Sequence, residues 1–177
     1  MAYQHKREPL SHEETDRLAN AAESFQEKLV IFILLDTGLR VSELARLQKD
    51  NIQWQERRLT IYGKGGIYGK KTKLRIVPVE HSIRAWRVLE HHFAIENTLR
   101  ISVRTIQNIV KRVANRAHIS KPVSPHVLRH TFSVNALKKG ISLVSLQRVL
   151  GHDRIETTMI YLNLSPEDVV SEFKAKW

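Results

Sequence analysis

The stretch Lys28 to Gly38, "KLVIFILLDTG", is apolar at nearly every position, and a helix that is apolar all round belongs in a protein core. Gly38 is placed to stop it. Ser24-Phe25-Gln26-Glu27 just before it has the S-x-x-E form of a capping box, and Ser11-His12-Glu13-Glu14 has the same form, predicting an earlier helix that runs to about Ala22. Beyond Gly38, "VSELARL" reads as a short third helix carrying Val41, Leu44 and Leu47 inward.

From Ile52 the pattern changes. "IQW", "RLTIYG" and "LRIVPV" are short, rich in β-branched residues and bounded by turn residues, which predicts a small sheet. "GKGGIYGKKTK", between the last two of them, reads as a mobile hairpin tip. Helices follow: "HSIRAWRVLEHHF", then "SVRTIQNIVKRVANRA", where Val103, Ile106, Val110, Val113 and Ala117 step by three and four while Arg104, Lys111, Arg112 and Arg116 lie elsewhere on the surface. Ser124-Pro125 opens "HVLRHTFSVNALKK" and Gly140 closes it, "SLVSLQRVL" ends at Gly151, and Ser165-Pro166 caps a terminal amphipathic helix over 165–177 with Val169, Val170, Phe173 and Trp177 on one stripe. The fold class expected is α+β: a single, mainly helical domain with a small antiparallel three-stranded sheet.

Lys and Arg number 29 against 18 Asp and Glu, a formal charge of +11, and such an excess points to a polyanionic partner, with nucleic acid the leading candidate. No cysteine is present, which removes disulfides, thiolate metal sites and thiol nucleophiles together. Neither a signal-peptide pattern nor a membrane-length apolar run occurs, so a soluble, cytoplasmic protein is expected, without a membrane partner.

"PHVLRHTFSV", Pro125 to Val134, sets His126 and His130 four residues apart with Arg129 between them. A zinc hydrolase motif would place its general base after the first histidine, where Val127 stands, and Arg129 would repel a cation; no metal is expected. H-x-x-R by itself fits a packed structural face as well as an anion site. Further donors favour the anion: Arg40 in a turn after a glycine, with Glu43 three residues on to orient it, His152 after the helix-ending Gly151, and Tyr161 nine residues later.

With "TGLRVSEL", "GKG", "HVLRHTF", "LGH" and that tyrosine in this order, the chain resembles the tyrosine recombinases, or phage integrases, from Ser11 to Tyr161. The resemblance implies that Arg40 and Arg129 are the catalytic arginines, Lys64 the catalytic lysine and general acid, His126 and His152 the two histidines, and Tyr161 the nucleophile, with Glu43 and His130 in support. It implies metal-free cleavage of double-stranded DNA through a 3′-phosphotyrosyl link, without a nucleotide cofactor. Lys70, Lys71 and Lys73 are rivals of Lys64 for the proton. The resemblance further implies a monomer that becomes a homotetramer on paired DNA sites, with the tail helix either docking on a neighbour or folding back on its own domain, and residence at the nucleoid. The family normally adds an N-terminal DNA-clamping domain, so residues 1–177 are expected to be the catalytic domain without it. Type IB topoisomerase activity, or a catalytically silent DNA-binding regulator on the same fold, are the rival expectations.

Overall fold

The computed structural model describes residues 8–65 and 71–152, with the backbone only for 64, 65 and 71–73. The hairpin tip at 66–70, the Tyr161 region and the tail helix expected over 165–177 lie outside the described residues.

Helix α1 spans His12–Asn20 and α2 spans Phe25–Thr37, and both begin with the capping boxes that the sequence predicts, at Ser11 with Glu14 and at Ser24 with Glu27. The all-apolar character of α2 has its reason in its surroundings. It packs against α1, α3 (Val41–Ala45), α4 (Ile83–Ile95), α5 (Val103–Arg116) and α6 (Pro125–Lys138), so Leu29, Val30, Ile31, Ile33 and Leu34 are all buried and beyond its first turn only the narrow line through Lys28, Phe32 and Asp36 reaches solvent. Its one acid near the C-terminus, Asp36, stands against the helix dipole. Arg84 compensates with Nε to Oδ2 at 2.6 Å and Nη2 to Oδ1 at 2.7 Å, and Ser82 Oγ donates at 2.6 Å, which also pins the start of α4.

Strands β1 (Ile52–Gln53), β2 (Arg58–Gly65) and β3 (Lys71–Pro78) form an antiparallel sheet in the order β1-β2-β3. The β2–β3 ladder runs further than the loop expected from the Gly- and Lys-rich composition, pairing Gly63, Lys64 and Gly65 with Lys73, Thr72 and Lys71. Ladder bonds are made by the main chain, so composition alone misplaces where a hairpin stops. Serine N-caps at Ser102 and Ser124 start α5 and α6, the latter with proline in its first turn, and Ser142 caps α7 (Leu143–Leu150). Helix α7 rests on both α6 and β3, which brings its C-terminus to the sheet. Among the described residues no helix is long and apolar enough to cross a membrane.

Candidate active site

Three separate parts of the chain, the α2–α3 turn, β3 and α6, meet at the C-terminal end of α7. That end leaves carbonyls without intrahelical partners and carries the negative pole of the helix dipole, so it attracts cations. Three consecutive carbonyls accept from three different arginines: Val149 O from Arg75 Nε at 2.7 Å, Leu150 O from Arg129 Nη2 at 2.7 Å, and Gly151 O from Arg40 Nη2 at 3.2 Å.

Arg40 is delivered by the α2–α3 turn. Gly38 ends α2 in the left-handed region at φ 62°, and a Cβ there would overlap the Phe132 ring of α6, so the two helices close on each other only with glycine at this point. Glu43, at the third position of α3, accepts the Arg40 backbone N–H at 2.7 Å and its Nη1 at 3.1 Å. The Arg40 side chain remains 42% exposed.

Arg129 arrives from α6 and is 5% exposed. Its Nη1 donates to Gly38 O and its Nη2 lies 3.1 Å from Nε2 of His152. A guanidinium has no lone pair to offer, so Nε2 of His152 accepts in that contact and the imidazole proton sits on Nδ1. His152, 9% exposed, is held from behind by Gln147, whose Nε2 donates to its carbonyl at 3.2 Å. His126 is exposed in the first turn of α6. His130, one turn later and half-buried, has its pKa pushed down by burial and by the neighbouring His126, which keeps it neutral near pH 7.

Of the sequence-predicted residues, the structure therefore gathers Arg40, Glu43, Arg129 and His152 within one hydrogen-bonded network. The Lys64 backbone lies on β2, three residues or roughly 10 Å along the strand from Ile61, the partner of Arg75. Tyr161 falls outside the described residues.

Arg75 is the member that sequence reading missed. It binds Glu43 with Nη1 to Oε1 at 2.7 Å and Nη2 to Oε2 at 2.6 Å. Burial pushes the Glu43 carboxyl up, but the hydrogen bonds and charge of Arg75, with the Arg40 N–H and charge, more than offset it and hold it below its ordinary value. The acid is ionised. Two guanidiniums, those of Arg40 and Arg75, share this one carboxylate, and that of Arg129 stands at the same helix end, an excess of positive charge suited to a phosphate diester.

The phage integrase family model matches residues 8–168. Tyrosine recombinase XerA of Thermococcus kodakarensis is 31% identical over 172 residues, covering 89% of this chain and 58% of its own length. Tyrosine recombinase XerC of Chlamydia muridarum is 30% identical over 176 residues, covering 89% and 54%. The chain thus spans a little over half the length of these curated relatives. In three dimensions it is similar to the crystal structure of XerA recombinase, with a TM-score of 0.78 at 28% identity over 94% of this chain and 64% of that one. It also shares its fold with the Tn1549 transposon integrase, solved with transposon right end DNA, at a TM-score of 0.76 and 17% identity over 98% and 67%.

Proposed function

The chain belongs to the phage integrase family, and from that premise we propose that it is the catalytic part of a site-specific DNA recombinase that cuts and rejoins strands through a 3′-phosphotyrosyl intermediate. The observation that best supports this reading is the convergence of Arg40, Arg129 and His152, from three distant parts of the chain, on the end of α7.

The reaction follows from what a phosphodiester needs. Arg40 and Arg129 neutralise the non-bridging oxygens, and a planar guanidinium does this with paired donors where a lysine would offer one point charge. The Tyr161 phenol oxygen attacks phosphorus in line, the P–O5′ bond breaks, and Lys64 gives its proton to the departing 5′ oxygen. The phenol proton passes to a histidine. His126 takes that role, while His152, whose Nε2 is engaged by Arg129, donates from Nδ1 to the phosphate. A 5′ hydroxyl of the partner strand reverses the steps, so the bond energy is conserved and neither metal nor nucleotide cofactor is called for. Double-stranded DNA is the substrate, at the nucleoid in the cytoplasm, and the working assembly is a homotetramer on paired sites, with the Val169, Val170, Phe173 and Trp177 stripe docking on a neighbour.

Nicked suicide duplexes that trap covalent protein on DNA test this. The chain should form an adduct, Tyr161→Phe should form none while still binding DNA, and Arg40→Lys should cleave roughly a hundred to a thousand times more slowly. An adduct from the Tyr161→Phe chain would overturn the assignment. Paired-site recombination assayed beside supercoil relaxation separates a recombinase from a type IB topoisomerase.

A further inference from the structure

Arg75 is a buried cation that the strand-transfer chemistry just proposed does not use. It stands on β3 opposite Ile61, in the same inward row as Val77 and Val79, with its side chain 6% exposed. A guanidinium in an apolar row is costly unless its donors are matched. Here Nε reaches Val149 O, and the two terminal nitrogens take one oxygen each of Glu43 in a fork-to-fork pair. Its stem lies against Gly151, where an added Cβ would come within 2.9 Å of Arg75 Cδ; glycine is required there both for this approach and for φ 67° at the helix end.

The consequence concerns Arg40. A carboxylate and a guanidinium left to themselves pair through two nitrogens, and a catalytic arginine so paired has its charge cancelled and its donors turned away from substrate. Glu43 is three residues from Arg40 and would be such a trap. Arg75 already occupies both oxygens head-on, so Arg40 has only a longer, side-on contact through Nη1, at 3.1 Å against 2.6 and 2.7 Å for Arg75. Its Nη2 is drawn instead to Gly151 O.

We propose that Arg75 is a positioning residue: by saturating Glu43 it keeps the carboxylate as a guide for Arg40 and prevents it from capturing Arg40, while tying the β2–β3 hairpin that bears Lys64 to the helix end that bears His152. This rests on the recombinase reading for its catalytic consequence, and on the geometry of Arg40 for the rest.

Two readouts on the 177-residue chain test it. Crystal structures of the chain and of Arg75→Met should show Arg40 moved into a two-nitrogen pair with Glu43 in the variant. Single-turnover cleavage at saturating suicide DNA should fall about 10- to 100-fold with DNA affinity nearly unchanged, the scale expected for a displaced catalytic group. Adding Glu43→Gln, which removes the trap, should return part of the lost rate. All rates are compared at a temperature where thermal melts show each variant folded; if Arg75→Met does not fold, Arg75→Lys, whose single point charge leaves one carboxylate oxygen to Arg40, takes its place. An unmoved Arg40 overturns the proposal whatever the rates, and so does parental cleavage by the variant. If the parent chain itself forms no adduct, the recombinase reading fails and the position of Arg40 still decides this one.

Discussion

Gly38 carries two requirements in one residue. Its positive φ turns the chain out of α2, its missing Cβ lets the Phe132 ring sit against the backbone, and its carbonyl then receives Arg129. Gly38→Ala should cost roughly 1–2 kcal/mol for the left-handed conformation and about 1–3 kcal/mol more for overpacking against Phe132. Urea unfolding measures the sum, and a variant as stable as the parent would refute the account. The glycine was legible as a helix stop, whereas its contact with Phe132, ninety-odd positions away, was not. Arg75 was hidden for a different reason. Leu74 and Ile76 are apolar yet exposed, so both faces of β3 look suitable for burial and the alternation does not say which one is inside. The available signal was its shared parity with Val77 and Val79.

Between elements, Glu27 does for α2 and α5 what Glu43 does for the site. As a capping residue its oxygen accepts the backbone N–H groups of Glu23 and Ser24, and the same buried carboxylate takes Arg116 Nη1 at 2.8 Å and Arg112 Nε at 2.9 Å. The two arginines that the helical pattern leaves on the surface are thus bound across an interface, with Arg112 still half in solvent. The Arg116 hydrogen bonds outweigh the burial penalty and, with Arg112 and the backbone donors, lower the Glu27 pKa from 4.5 to about 2. A depressed folded-state pKa contributes stability above the unfolded value, so this contribution is complete above about pH 4.5 and is lost as pH falls toward 2. Thermal unfolding followed from pH 6 downward should show the midpoint falling in that window, and Glu27→Gln should flatten the fall while lowering stability at neutral pH. An unchanged pH profile in the variant would exclude Glu27 as the source. The capping box was plain from local spacing; its second set of partners lies 85 and 89 residues away and has no local signature.

For the whole molecule, the excess of eleven positive charges predicts binding to duplex DNA that weakens steeply with salt, the logarithm of affinity falling by about 0.9 per tenfold salt for each phosphate neutralised. Fluorescence anisotropy across a salt series measures that slope, and a flat line would remove DNA backbone binding from the picture. What the chain determined locally is the set of helices and where they are capped, since capping boxes, prolines and stop glycines act over a few residues and are satisfied by backbone groups beside them. The ordered motifs likewise gave the family and four members of the network around α7. Tertiary structure decided how those members are held: three carbonyls at one helix end become a cation trap only when β3, α6 and the α2–α3 turn are packed beside it. It also decided that a strand arginine guards the Glu43 carboxylate, because whether a charge is stabilised depends on groups that sequence separation says nothing about.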